Sequence, residues 1–204
     1  MNRKGDDNGG KDCSEKKKMK VGGHWSQGLK ASMHDPSLIV KQDELIVIIK
    51  DKYPKAKHHY LILPKADVRN LKALNIDHLS LLKHMQDEAK KLINGIESPS
   101  GFKIGYHAVP SMSQLHLHAI SQDFDSPCLK TKTHWNAFTT EYFIDSEDVI
   151  RDVEKYGKVC CIDERSAKEI LKKDLRCHIC NESLKNMPKL KEHILVHMGK
   201  KNNS

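Results

Sequence analysis

Four residues near the C-terminus constrain the fold more than any other feature of the chain. Cys177, Cys180, His193 and His197 are separated by two, twelve and three residues. Two thiolates on a turn and two imidazoles one helical turn apart can surround a Zn²⁺ ion tetrahedrally. A unit of this size has too little core to fold alone, and metal binding supplies the missing stability. The spacing therefore predicts a C2H2-type zinc finger over residues 174–204, with zinc in a structural role.

The finger contains candidate contacts to nucleic acid. If it docks as DNA-reading fingers do, Asn186, Lys189 and Glu192 occupy the base-reading positions of its helix. Five lysines would contact phosphates without selecting a sequence: Lys185, Lys189, Lys191, Lys200 and Lys201. Leu184 and Leu190 would form its small core. A purely structural or protein-binding finger is the alternative, because the docking geometry is an analogy.

A second feature is the alternation of polar and apolar residues over 114–120. On a strand, Gln114, His116 and His118 project from one face, and the intervening apolar residues pack behind them. Three interpretations fit this pattern. One is phosphate chemistry, in which one imidazole attacks phosphorus and its neighbour donates a hydrogen bond or proton. The others are a metal site and a structural histidine pair.

Periodicity upstream and downstream of this segment predicts an α+β fold. Apolar runs at 45–49 and 60–63, separated by turn-forming residues, indicate a β-hairpin. Helical spacing of apolar residues over 76–93 predicts an amphipathic helix. Further predicted elements are strands at 103–109 and 114–120, a helix Ser146–Tyr156 that stops at Gly157, and a short helix capped by Ser166 with Glu169.

Composition divides the chain into four segments. Residues 1–22 are polar and carry the run Lys16, Lys17, Lys18 and Lys20, which predicts a disordered basic tail. The run is an import signal, a DNA-touching arm or a solvated tail. A domain follows at 23–150, then a helical connector at 151–173, and then the finger at 174–204.

Charge and cysteine usage limit the compartment and the partner. The chain has 35 Lys and Arg against 27 Asp and Glu, a net charge of +8, which suits an anionic partner such as nucleic acid. We expect neither a secretory signal nor a segment that crosses a bilayer, because residues 1–20 lack an apolar core and no stretch has sufficient apolar length. Six cysteines without a signal indicate a reducing compartment, in which Cys13, Cys128, Cys160 and Cys161 are ordinary thiols.

Several segments together resemble a known family. Residues 114–120 resemble the motif of the histidine triad family of nucleotide hydrolases and transferases. Residues 23–29, 51–56, 105–113 and 121–127, with the terminal finger, resemble the aprataxin family within it. The resemblance covers about 23–197. It implies a histidine-triad α+β fold with an antiparallel sheet and helices, fused to a C2H2-type finger.

The resemblance also implies an activity and a set of site residues. Aprataxins are hydrolases that remove AMP from adenylated 5′ DNA ends, which an aborting DNA ligase leaves behind. His116 would attack the adenylate phosphorus and form an AMP–histidine intermediate, and His118 would bind the phosphate oxygens. No catalytic metal is expected. The implied substrate- and DNA-contacting residues are Ile46, His59, Lys65, Ala66, Asp67, Val68, Arg69, His107, Ser111, His118, Asp125 and Ser126.

Three positions depart from the family pattern. The first histidine of the triad is Gln114, so any role of that ring in orienting the nucleophile passes to an amide, which does not titrate. Thr133 stands at a loop position where relatives carry a DNA-contacting lysine. We expect no forkhead-associated domain of the kind that some aprataxins carry, because the residues ahead of Gly23 are too few to form one.

The sequence thus predicts a nuclear DNA-repair hydrolase that binds nicked or damaged DNA ends bearing AMP. RNA–DNA junctions are further candidate substrates. The protein is expected to act as a monomer and to have no membrane partner. One alternative is a general nucleotide phosphoramidase or dinucleoside polyphosphate hydrolase. Another is a non-catalytic module that binds DNA ends. Trp25 and Trp135 are expected in the core, because large aromatic residues more often fill cores than stack on DNA.

Overall fold

The computed structural model describes residues 28–200, and the predicted tail 1–22, Cys13, Trp25 and Lys201 lie outside them. The strands are β1 Ile39–Gln42, β2 Ile46–Lys50, β3 His59–Pro64, β4 Phe102–His107, β5 Leu117–Ser121 and β6 Phe143–Asp145. The α-helices are α1 Gly28–Ser32, α2 Leu79–Asn94, α3 Lys132–Thr139, α4 Ser146–Tyr156, α5 Glu164–Lys172 and α6 Met187–Lys200. Short 3₁₀ turns at Leu71–Ala73 and Ile76–His78 precede α2.

All six strands form one antiparallel sheet in the order β1-β2-β3-β5-β4-β6. Strands β2 and β3 form the predicted hairpin, with Ile46 opposite Pro64 and Lys50 opposite Tyr60. Strand β5 lies at the centre between β3 and β4. A side chain on β5 therefore has neighbours on both sides, and this position suits a site built from several strands.

The two faces of the sheet have different roles. On one face, alternate residues of the strands pack with Leu82 and Met85 of α2 and with Val149 and Val153 of α4 in one core cluster. The opposite face carries two further clusters. One lies against α1, and the other combines α3, α5 and the finger. His59 on β3 and His118 on β5 project from this second face, because side chains alternate along a strand.

Most predicted elements are present, and two of them differ in detail. Helix α4 ends where predicted, at Gly157, whose φ of 67° is the left-handed conformation that glycine tolerates. Helix α5 begins earlier than its predicted cap: Asp163, and not Ser166, accepts from the backbone N–H groups of Arg165 and Ser166. The predicted strand 114–120 starts only at Leu117, because Gln114 has a positive φ of 110°.

Candidate active site and zinc-binding finger

His116 is held by the main chain of Gln114. Its Nδ1 lies 2.9 Å from the Gln114 carbonyl oxygen. A carbonyl oxygen only accepts, so Nδ1 carries the hydrogen and the neutral ring keeps its lone pair on Nε2. His116 stands directly before β5 and is 6% exposed. The contact thus fixes both the orientation and the tautomer that a nucleophilic imidazole requires.

The Gln114 side chain has a different role from the one predicted. Its Nε2 donates to the carbonyl oxygens of Pro64 at 2.7 Å and Ala66 at 2.9 Å. The backbone adds bonds from Gln114 N to the Arg69 oxygen and from Leu115 N to the Val68 oxygen. The prediction that the amide orients the nucleophile is corrected: the carbonyl orients it, and the amide anchors the segment after β3.

His118 and His59 form a hydrogen-bonded pair. His59 Nε2 lies 2.9 Å from His118 Nδ1. On its other side, His59 Nδ1 accepts from the backbone N–H of Lys55 at 3.2 Å, with a carboxylate oxygen of Asp51 at 3.3 Å. With Nδ1 as acceptor, His59 carries its hydrogen on Nε2 and donates to His118. His118 then carries its own hydrogen on Nε2, a donor suited to a phosphate oxygen.

His107 completes a group of four histidines, in which His59, His107 and His116 surround His118. The ring centroid of His118 lies 4.4 Å from that of His107 and 4.9 Å from that of His116. The Nε2 atoms of His107 and His118 are buried and have no hydrogen-bond partner within the described residues. Phe138 packs edge-on against His107 and His118. Two buried ring nitrogens therefore have unused hydrogen-bonding capacity, beside an apolar wall.

The four imidazoles are neutral near pH 7. Burial lowers the pKa of His116, although the Gln114 carbonyl and Asp51 partly offset this effect. Burial, followed by the neighbouring histidines, holds the pKa values of His107 and His118 well below their usual range. Burial also lowers the pKa of His59 to about 4, against the opposing effect of Asp51. The group thus combines an uncharged nucleophile with uncharged donors.

A cavity of about 340 Å³ lies beside α1, and none of the four histidines forms part of its wall. Asp51 forms part of its wall and also contacts His59. Apolar residues supply much of the remaining lining: Leu29, Ile49, Leu61 and Met112. Its volume lies in the range of small-molecule pockets. Ile46, predicted to line a nucleotide pocket, instead packs in the core cluster on the opposite face of β2, and that prediction is corrected.

The predicted DNA-contacting loop at 65–69 is exposed except at one residue. Lys65, Ala66, Asp67 and Arg69 face solvent, and Asp67 pairs with Lys30 of α1 at 2.9 Å. Val68 is 4% exposed and belongs to the core cluster that contains residues of α2 and α4. The prediction for Val68 is therefore corrected, since its side chain anchors the loop.

The remaining predicted contacts differ in accessibility. Ser111 and Asp125 are exposed. Ser126 is 3% exposed, and its hydroxyl donates to the Pro54 oxygen at 2.6 Å. That hydroxyl is already committed within the protein, which corrects the prediction of a side-chain contact to DNA. Thr133 is exposed but lies in the first turn of α3 rather than in a loop.

The four predicted zinc ligands meet in space. Their donor atoms all lie within 4.8 Å of one another. His193 Nε2 is 3.1 Å from Cys180 Sγ and 3.0 Å from His197 Nε2. Two sulfur and two imidazole donors converging on one point suit a tetrahedral Zn²⁺ site. Glu182 lies 3.5 Å from the other nitrogen of His193, where an outer carboxylate can orient the ring.

The finger packs directly against the sheet domain. Leu190 and Ile194 of α6 share one core cluster with Phe124, Trp135 and Phe138. Trp135 is 1% exposed, as its predicted core position requires, and its Nε1 donates to the Arg176 oxygen at 2.9 Å. His178, whose position fits no sequence pattern, packs edge-on against Phe124 and Trp135.

Two residues of the finger differ from the predicted docking roles. The side chain of Asn186 accepts from the backbone N–H of Lys189 at 3.1 Å, so its Oδ1 caps α6 in addition to any contact with a base. Lys191 points at the sheet domain, where its Nζ donates to the Ser126 oxygen at 2.7 Å. Lys185, Lys189 and Glu192 remain exposed. None of the helices within residues 28–200 has the length and apolar character needed to cross a membrane.

The sheet, its histidine group and the appended finger define a class of protein: a histidine-triad α+β domain joined to a zinc-binding finger. The chain belongs to the family described as "Scavenger mRNA decapping enzyme C-term binding", whose model matches residues 24–134. The model described as "C2HE / C2H2 / C2HC zinc-binding finger" matches residues 139–200. These matches confirm the predicted fold class.

Relatives and solved structures agree with this assignment. The chain is 55% identical over 180 residues to aprataxin of Gallus gallus and 52% identical over 183 residues to that of Danio rerio. These alignments cover 87% and 89% of the chain but 56% of each relative, so the chain spans little more than half of their length. The predicted resemblance to aprataxins is confirmed.

The crystal structure of the aprataxin orthologue Hnt3 in complex with DNA superposes with a TM-score of 0.72 at 23% identity. The match covers 87% of this chain and 96% of that one. At this identity the likeness establishes the fold.

Proposed function

We propose that the chain is a DNA-repair hydrolase that removes AMP from adenylated 5′ DNA ends through a covalent AMP–His116 intermediate. The observation that carries the proposal is the bond from His116 Nδ1 to the Gln114 carbonyl oxygen, which leaves Nε2 as the nucleophilic nitrogen. The names of the similar proteins support the DNA-repair setting.

The reaction proceeds in two displacements. His116 Nε2 attacks the adenylate phosphorus, and the anhydride P–O bond breaks to release the DNA 5′-phosphate. Water then attacks the same phosphorus, the P–N bond breaks, and AMP leaves. Charge develops on the phosphate oxygens in each step, and we assign its stabilisation to His118 Nε2 and His107 Nε2, which have no hydrogen-bond partner within the described residues.

The nucleoside occupies the cavity beside α1. Its apolar wall, which includes Leu29 and Ile49, suits a base, and Asp51 offers a carboxylate to sugar hydroxyls. Because Asp51 also contacts His59, a nucleoside in this cavity places its phosphate next to the histidine group. The same geometry admits small AMP conjugates, so the cavity alone does not select DNA.

Selection of DNA rests on the basic surfaces that flank the site. Lys65 and Arg69 lie on the loop after β3, Thr133 and Ser111 lie on exposed segments, and Lys185 and Lys189 lie on the exposed side of the finger. The lysine and arginine cations neutralise phosphates without reading bases, whereas Thr133 and Ser111 offer neutral hydroxyl groups. Zinc is structural in this scheme, and no step requires a catalytic metal.

The proposal extends to organisation and setting. We assign residues 23–150 to the catalytic domain, 151–173 to a helical connector and 174–204 to the finger. The protein acts as a monomer in the nucleus, and RNA–DNA junctions are further candidate substrates. The domain borders are organisational only, since the finger shares a core with α3 and α5.

The test follows AMP release from a nicked duplex bearing a 5′-AMP cap. Wild type should release AMP, whereas His116→Ala should bind the duplex without releasing it. A Lys185→Ala/Lys189→Ala double variant should lose far more activity on the capped duplex than on a small AMP conjugate. Equal losses on both substrates would favour a general phosphoramidase. Binding by wild type without any AMP release would favour a non-catalytic end-binding module.

A further inference from the structure

A continuous chain of contacts leads from the finger helix to the histidine group. On α6, Lys191 Nζ donates to the Ser126 carbonyl oxygen at 2.7 Å. The Ser126 hydroxyl donates to the Pro54 oxygen at 2.6 Å. The next residue, Lys55, provides the backbone N–H that reaches His59 Nδ1 at 3.2 Å. Each link lies within hydrogen-bond range.

The segment at 51–57 is also held by other bonds to the 123–126 segment. Lys57 N donates to an Asp123 carboxylate oxygen at 2.9 Å, and the same oxygen accepts from Asp125 N at 2.8 Å. Ala56 is 1% exposed and shares its core cluster with Leu190 of the finger. A displacement of the finger therefore reaches the 51–57 segment through both polar and apolar contacts.

These contacts end at His59 and His118, a hydrogen-bonded pair that can adopt either of two tautomeric arrangements. His59 Nδ1 faces the Lys55 N–H, which donates, and the Asp51 carboxylate at 3.3 Å, which accepts. If the Lys55 N–H moves away, His59 places its hydrogen on Nδ1 and donates to Asp51. His118 must then donate from Nδ1 to His59, and its Nε2 becomes a lone pair that repels phosphate oxygens.

We propose that Lys191 is a positioning residue that keeps His118 in its phosphate-binding tautomer, so that the folded finger supports the chemical step as well as DNA binding. This role was not predicted for Lys191, which the sequence analysis assigned to DNA phosphates. The kinetic consequence rests on the proposed function, whereas the tautomer itself does not.

The test uses the full, zinc-loaded chain with ¹⁵N-labelled histidine. Lys191→Met should shift the His118 Nε2 resonance from the protonated toward the unprotonated type at neutral pH. It should also lower kcat on a small AMP conjugate about ten-fold, part of the roughly 100-fold loss typical of deleting one preorganised donor. KM should change less than kcat, because the apolar part of the cavity wall, Leu29, Ile49, Leu61 and Met112, lies outside the 51–57 segment.

Matched variants separate positioning from folding. Lys191→Arg keeps a cationic donor and should restore the wild-type tautomer and kcat. Lys168→Met, an exposed lysine on α5, should behave as wild type. Should Lys191→Met lose zinc, Ser126→Ala interrupts the chain outside the finger and should produce the same His118 shift.

Wild-type His118 resonances in zinc-loaded Lys191→Met, or in Ser126→Ala if the first variant loses zinc, would overturn the proposal. If wild type does not hydrolyse the AMP conjugate, the proposed function fails, and the resonances still decide the role of Lys191.

Discussion

Replacing Gln114 by leucine tests the distinct roles of its main chain and its side chain. Leucine is similar in size but removes the donor that reaches the Pro64 and Ala66 oxygens. Each lost bond costs about 1 kcal/mol, and an unsatisfied buried carbonyl raises that cost toward 2 kcal/mol. Gln114 Oε1 is itself buried without a partner in the described structure, so its removal returns about 1 kcal/mol. The free energy of unfolding should fall by about 1–3 kcal/mol.

The catalytic consequence of this substitution should be smaller than the loss of stability suggests. The Gln114 carbonyl that orients His116 remains in Gln114→Leu, so kcat of the folded variant should stay within about ten-fold of wild type. Urea titration measures stability, and AMP release from a capped nicked duplex measures kcat. Gln86→Leu, a buried glutamine with one bond to Ser146, should cost about 1–2 kcal/mol and leave kcat unchanged. A folded Gln114→Leu variant as inactive as His116→Ala would refute the reasoning.

Three further predictions concern the fold, its pH dependence and the finger. In Gly105→Ala, the new Cβ would lie 2.3 Å from the Ile144 oxygen and 2.5 Å from the Phe143 ring. Thermal unfolding should therefore show that the free energy of unfolding falls by about 3 kcal/mol or more. In the control Gly95→Ala, the nearest atom lies 3.8 Å from the new Cβ, and stability should not change. Because burial lowers the pKa of His59 from 6.5 to about 4, the unfolded chain binds this proton more readily than the folded chain does. In urea titrations, the stability lost between pH 7 and pH 4 should therefore be about 3 kcal/mol smaller in His59→Gln than in wild type. Trp135 donates to the Arg176 oxygen of the finger, so chelation of zinc should unfold the finger and expose this side chain. Its fluorescence, measured in a Trp25→Phe background, should shift to the red. An unchanged spectrum after metal removal would contradict a metal-dependent finger.

The sequence predicted the features that depend on local periodicity or spacing. Strand alternation placed His118 on a polar face, glycine marked the end of α4, and the ligand spacing predicted the finger. These signals are local because a strand repeats every two residues and a helix every 3.6 residues. The resemblance to aprataxins supplied the assignment of roles within the histidine group.

The features that were missed depend on tertiary contacts. The positive φ of Gln114 cannot be read from its residue type, because non-glycine residues adopt it only when their surroundings impose it. Val68 belongs to the core because the loop around it is bonded to Gln114 and Leu115. Lys191 resembled a phosphate contact because its spacing does not show which surface its side chain meets.

Direct capture of the covalent intermediate tests the central claim. Wild-type protein mixed with a 5′-AMP-capped nicked duplex would be quenched during the first turnover, digested at neutral pH and analysed by mass spectrometry. The account predicts AMP attached to His116 in wild type and no adduct in His116→Ala. Release of AMP by His116→Ala at the wild-type rate, or an adduct on a different residue, would contradict it.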